Sequence, residues 1–290
     1  MRVRPASLSS VGPMISRGQL MAALCIFASS GGLLPRAIWS VVNEGWYDSI
    51  FNTFEISIVV WAAWASACYL ALSADDRDRI RPLDIAVACG TLAIASLPMA
   101  HFSWLALSIL SPYVYLSSEK RSALRRSAII FFGICAPMLW GPALLALAAP
   151  LLLKIDAFFV ATLTGADRSG NVVSFIGQGS GAAFIEDVRG IQIWAPCSSF
   201  HNISQAALAW VALTQTLGRD LEIKDLFWCA FAMFLAGSVN LARLSLMTIS
   251  PEYYVTIHGP IGAQVAGGLT ITLIAFVCIL GQRRELFARV

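Results

Sequence analysis

Hydrophobic positions in this chain run in long stretches interrupted by short charged loops, and that pattern predicts helices that cross a bilayer. A transmembrane helix needs about 20 apolar residues, at about 1.5 Å of rise each, to span a hydrocarbon core about 30 Å thick. Eight such segments are predicted, at 18–40, 50–73, 83–99, 101–117, 127–149, 197–217, 226–249 and 260–281. The third and fourth are short and meet near Met99-Ala100, where a tight helical hairpin fits better than one span of about 35 residues. The longest interval between spans, 154–196, contains a run from Ile155 to Val160 that predicts an interfacial helix. Further on, Ile185, Asp187, Arg189, Ile191 and Ile193 alternate with period 2, the pattern of short strands or a hairpin. The expected fold class is an all-α polytopic membrane protein of about eight transmembrane helices, with a small extracytoplasmic β-hairpin-like segment before the sixth. Residues 1–290 read as one integral membrane domain.

Composition supports that class and excludes others. Hydrophobic residues make up 58% of the chain and charged residues 13%, with a mean hydropathy of +0.72, far from the soluble average. That leaves no length for a large soluble domain. The net charge of +3 is accounted for by basic loops and does not indicate nucleic-acid binding. No repeat or low-complexity segment stands out. The apolar run after Arg17 lacks a small-residue cleavage site, so it reads as a retained first span.

Basic residues also orient the chain, because Lys and Arg in short loops stay cytoplasmic. They cluster at Arg2, Arg4 and Arg17, at Arg77, Arg79 and Arg81, at Lys120, Arg121, Arg125 and Arg126, at Arg219 and Lys224, and at Arg283, Arg284 and Arg289. Only Arg36, Lys154, Arg168 and Arg189 fall in the opposite loops. Both termini are therefore expected in the cytoplasm of a prokaryotic cell whose inner membrane holds the protein. The start of span six, the end of span seven and the start of span eight then share the outer face.

Three chemically distinctive residues occupy those positions. Of seven cysteines, Cys25, Cys68, Cys89, Cys135, Cys229 and Cys278 lie singly in apolar spans, as small packing residues do. Cys197 differs, because Pro196 suits a first helical position, which puts the thiol in a first turn where free amides and the helix dipole stabilise a thiolate. A lone thiol in a membrane protein is more often a packing residue. Arg243, within an apolar span, strengthens the case, since a charge there normally faces a cavity or a partner. His258 follows at the start of span eight. No Cys-x-x-Cys pair, zinc-ligand spacing or nucleotide motif is present, and thiol chemistry needs no cofactor, so none is expected.

The segments Pro196-Cys197-Ser198-Ser199, Asn240-Leu241-Ala242-Arg243 and His258-Gly259-x-x-Gly262 resemble those of the exosortase/archaeosortase family. So does the Gly170 to Val173 strand ahead of the cysteine. The resemblance covers about 155–281, which would be the catalytic core, with 1–153 as N-terminal helices. It implies a cysteine-dependent transpeptidase that cleaves C-terminal sorting signals, each a short motif, a transmembrane helix and a basic tail, from membrane-anchored substrate proteins. It further implies that Cys197 is the nucleophile, Arg243 the conserved arginine and His258 the histidine. The chain has Cys197-Ser198-Ser199 where many relatives have Cys-Ser-Gly.

Other assignments compete with this one. His201, four residues after Cys197, would share its helix face and is a rival base, with His258 preferred. Ser198, Ser199, Asn202 and Asn240 are auxiliary polar groups; Arg189 and Lys154 are candidates for an acidic residue of the signal. The alternative function is a non-enzymatic transporter or flippase subunit in which Arg243 binds an anionic substrate and Glu55 or Asp84 serves for coupling. A serine protease using Ser180 is a weaker third reading. Expected partners are substrate proteins and lipid, with no nucleic acid; the sequence leaves the oligomeric state open.

Overall fold

A computed structural model describes residues 15–75, 78–176, 190–220 and 222–287. The chain is predominantly helical. Helix α1 (Arg17–Glu44) starts at a capping box, in which the Ser16 hydroxyl accepts from Gln19 N and Gln19 Oε1 accepts from Ser16 N. A short α2 (Trp46–Phe51) leads to a turn at Thr53–Glu55, then α3 (Ile58–Leu72), α4 (Pro82–Ala95) and α5 (Ala100–Ser117). Helix α6 (Ala123–Cys135) runs through a π-turn at Ala136–Trp140 into α7 (Gly141–Thr164). After three short strands come α8 (Ser199–Thr216), α9 (Ile223–Met247), α10 (Pro251–His258) and α11 (Pro260–Phe287).

Four helical segments among the described residues are long and apolar enough to cross a membrane: α1, the continuous α6–α7 rod, α9 and α11. Helices α3 and α4 are apolar but have only 15 and 14 residues, about 22 and 21 Å at the α-helical rise. Helices α5 and α8 reach 18 residues each with polar positions interspersed. The segment predicted at 50–73 loses its first part because Thr53, Phe54 and Glu55 take left-handed φ angles of 51°, 56° and 55°. Regular helix resumes only after the Ser57 hydroxyl caps α3. The break predicted between the third and fourth segments falls between Ala95 and Ala100.

The stretch from Ile155 to Val160, expected as a separate interfacial helix, is the last part of α7. No residue from Lys154 to Thr164 disfavours helix strongly, and Gly165, at φ 68° and ψ 16°, is where the chain turns left-handed and stops. An antiparallel sheet follows in the order β1 (Arg168–Ser169), β2 (Val172–Ser174), β3 (Gly190–Gln192), with Val173 opposite Ile191. Ile191 and Ile193 are buried and Gln192 between them is exposed, the alternation expected of a half-buried strand. Ile185, Asp187 and Arg189, from the same predicted alternation, lie outside the described residues, as does Ser180.

The main core joins α1, α3, α5 and α6, with Leu208 and Ala212 of α8 on its flank. A second cluster gathers Leu153, Ala157 and Val160 of α7, Val173, Ile191 and Ile193 of the sheet region, and Leu244 and Met247 of α9. This smaller cluster lies under Cys197. At the other end of the bundle, buried Arg17 donates from Nε to Asp84 at 3.0 Å, the Tyr113 hydroxyl donates to the same carboxylate at 2.6 Å, and Arg17 Nη2 donates to the Ser117 hydroxyl. Three helix ends are thereby tied together.

Candidate functional site

Cys197 ends a 3₁₀ turn, Ala195–Cys197, and Ser198 is the N-cap of α8. The thiol therefore stands one residue before the helix cap, not in the first turn as the sequence led us to expect. The physical reason is the cap itself: Ser198 keeps an extended backbone, φ −67° and ψ 140°, and its hydroxyl accepts from Phe200 N at 3.3 Å. The next amide is also occupied, since Ser199 N donates to Asp156 Oδ2 at 3.0 Å. The Ser198 hydroxyl donates to that same oxygen at 2.9 Å. Asp156, buried on α7, thus clamps the entry to α8.

The backbone of Cys197 is held from both sides. Its N–H donates to Trp194 O at 2.9 Å, and its carbonyl accepts from Asn240 Nδ2 at 2.8 Å. Asn240 also donates to the Ser199 hydroxyl at 3.1 Å, which locks the end of α9 to the start of α8. The Cys197 side chain is half-buried against the second apolar cluster and makes no hydrogen bond among the described residues.

Arg243 lies three residues after Asn240, on the adjoining face of α9. It stands four positions before the helix end at Met247, about 6 Å along the axis. Its Nη2 donates to Ile257 O at 3.4 Å, while its Nε is buried without a hydrogen-bond partner. Among the described residues no carboxylate pairs with it. A guanidinium carries five N–H donors, so most of this one remains available. It borders an apolar groove of about 560 Å³ between α9, α10 and α11, lined by Val239, Leu246, Ile261, Val265 and Leu269.

His258 ends α10, and its ring stacks on Tyr254 at 5.0 Å between centroids and 9° between planes. It is exposed and makes no hydrogen bond among the described residues. Tyr254 and Ile257 pack on the apolar cluster that also receives Cys197. A run of contacts therefore leads from Cys197 through Asn240 and along α9 to Arg243, Ile257 and His258. The close corner between α10 and α11 requires Gly262, because a Cβ there would lie 2.4 Å from Ile257 O and 2.5 Å from its Cα.

His201 is turned elsewhere. The Ser57 hydroxyl donates to Gln205 Oε1 at 2.8 Å, which leaves the Gln205 amide nitrogen to donate to His201 Nε2 at 2.7 Å. That engages the ring toward α3, and the α8 face that Cys197 and His201 were expected to share does not exist, because α8 begins at Ser199. Asn202 is half-buried and joins no hydrogen bond of the site, and Lys154 is exposed on α7. Arg189 lies outside the described residues. Sequence reasoning missed Asp156 and Tyr254: the first lay inside a presumed surface helix, and the second has no motif beyond its i, i+4 spacing to His258.

Comparison with protein-family models, with curated proteins and with solved structures finds no match to this chain.

Proposed function

We propose that this protein is a membrane cysteine peptidase or transpeptidase of the exosortase/archaeosortase type, facing outward from a prokaryotic cytoplasmic membrane. The observation that carries the proposal is the run of contacts from Cys197 through Asn240 to Arg243 and Ile257, beside His258, at one end of α9. The Cys197 thiolate attacks the carbonyl carbon of the scissile bond, and the tetrahedral oxyanion falls to the donors of Arg243. His258 passes the thiol proton to the leaving amine, the signal helix departs and a thioester remains. Water or an acceptor amine then attacks the thioester and returns the thiol. The groove at Arg243 suits the apolar segment of a membrane-anchored substrate.

The transport alternative draws on the same unpaired guanidinium, but its coupling carboxylates are poorly suited. Asp84 is engaged by Arg17, Tyr113 and the Arg81 amide, and Glu55 lies in an exposed turn before α3. The deciding experiment compares wild-type and Cys197→Ala protein in the native host by mass spectrometry of the C termini of membrane-anchored proteins. Uncut precursors in the mutant alone, with the mutant correctly inserted, are the expected result. An unchanged set of C termini would rule out Cys197 chemistry and favour transport.

A further inference from the structure

The end of the molecule opposite Cys197 carries a second built site, about 24 Å away along α8 as measured from Ser199 to Gln215. There the α5–α6 turn meets the α8–α9 turn around a cavity of about 590 Å³. Lys120, Arg121, Arg125, Arg126 and Arg219 line it against the single carboxylate of Asp220. Arg121 donates to that carboxylate at 2.6 and 2.9 Å, from a backbone held at φ 68°. Arg219 pairs with Asp225 at 3.2 Å. Lys120, Arg125 and Arg126 have no acidic partner among the described residues.

Two of these cations are held in place without an acidic partner among the described residues. The Arg125 guanidinium lies over the Tyr115 ring, 4.1 Å from its centroid. Arg126, which lines the cavity, has its Nε buried with no hydrogen-bond partner among the described residues, an expensive state for a charged donor. Insertion of a membrane protein requires basic residues in such loops. It does not require that they surround a cavity or that one of their donors be buried.

The cavity also adjoins an apolar groove. Tyr115 and Ile129 line both the cavity and this groove of about 330 Å³ between α5 and α6, which continues past Pro112 and Phe132. From Arg126 in the cavity to Phe132 in the groove the combined site follows α6 for about 9 Å. We propose that this composite site binds a lipid whose phosphate headgroup is net anionic, with the phosphate among Arg125, Arg126 and Lys120 and the first part of the chain in the groove. Guanidinium forks match phosphate oxygens in geometry and charge. A free phosphate would use the cavity alone; the continuous groove selects the lipid. No residue is shared with the Cys197 site, so this inference stands apart from the proteolytic one.

The test measures binding of short-chain phosphatidic acid, short-chain phosphatidylcholine and inorganic phosphate to the purified full-length protein in neutral detergent. Phosphatidic acid is expected to bind at least about tenfold tighter than phosphatidylcholine, and Arg126→Gln to weaken it about tenfold, the loss of one charge-assisted bond. Arg81→Gln, an exposed cation in another basic loop, should change it less than about twofold. Ile129→Trp, which fills the groove, should weaken phosphatidic acid and leave inorganic phosphate unchanged. Equal effects of Arg126→Gln and Arg81→Gln would reduce the site to general surface charge and overturn the proposal. Inorganic phosphate binding as tightly as phosphatidic acid would overturn the lipid assignment in favour of a soluble anion. If Arg126→Gln does not yield folded protein, Arg125→Gln takes its place, and the wild-type preference among the three ligands decides the question by itself.

Discussion

Cys197 is held in place through its peptide groups, while its thiol has no hydrogen-bond partner among the described residues, as the proposed nucleophile would need. Asn240 is the residue on which this depends, since one amide serves both the Cys197 carbonyl and the Ser199 hydroxyl. Replacement by Asp removes both donations at once, whereas Gln keeps the chemistry and misplaces it by one methylene. We expect Asn240→Asp to lower stability by about 1–3 kcal/mol, the cost of leaving a buried acceptor unsatisfied, and to depress peptide processing further than that loss alone explains. Unfolding in detergent and processing measured on the same preparations check this. For the proposed base, His258→Ala is expected to cost more activity than His201→Ala, because His201 is committed to Gln205, whose amide oxygen accepts from the Ser57 hydroxyl. The reverse order in a processing assay would transfer the role to His201. The rare residue types Cys197, Arg243 and His258 were visible in the sequence because a charge, an imidazole or a proline-flanked thiol is conspicuous among apolar neighbours. Asp156 was not, since its partners Ser198 and Ser199 lie more than 40 residues away.

Among the elements, α10 and its corner with α11 carry the most information about the site. Gly262 packs against the backbone of Ile257, the residue whose carbonyl accepts from Arg243 and which precedes His258. Gly262→Ala must push α10 away, so we expect it to disturb both groups and abolish processing even where the protein still inserts. Gly267→Ala, one and a half turns along α11 with open space beyond its Cα, is the contrasting case. It should retain activity and gain up to about 1 kcal/mol from helix propensity. Activity and thermal unfolding of the two variants distinguish a local steric requirement from general intolerance of substitution in α11. Helix positions followed from hydropathy runs, a local property. Their ends did not: the left-handed turn at Thr53–Glu55 shortens α3, and the absence of a breaker between Lys154 and Thr164 carries α7 on to Gly165.

At the scale of the whole molecule, the two ends of the bundle differ in kind. One end holds the thiol, the unpaired Arg243 and the small sheet; the other holds the buried Arg17–Asp84 pair and the cationic cavity. Removing one member of a buried pair strands the other without compensation, so Asp84→Ala is expected to cost about 3 kcal/mol. Tyr113→Phe, which removes one hydrogen bond to the same carboxylate, should cost about 1 kcal/mol. Denaturant unfolding in detergent measures both, and similar losses from the two would mean the pair contributes no more than the hydroxyl. By itself the sequence determined that this is a helical protein with membrane-length apolar segments and a basic bias in alternate loops, because burial in lipid is written residue by residue into composition. It also marked the thiol, the guanidinium and the imidazole. The tertiary structure alone decided that Asn240 bridges α9 to Cys197, that Asp156 occupies the amide at the start of α8, that His201 turns away and that five basic residues from the α5–α6 turn, the start of α6 and the α8–α9 turn line one cavity. Each of these rests on groups distant in the chain and brought together by helix packing, and no local pattern of residues encodes that proximity.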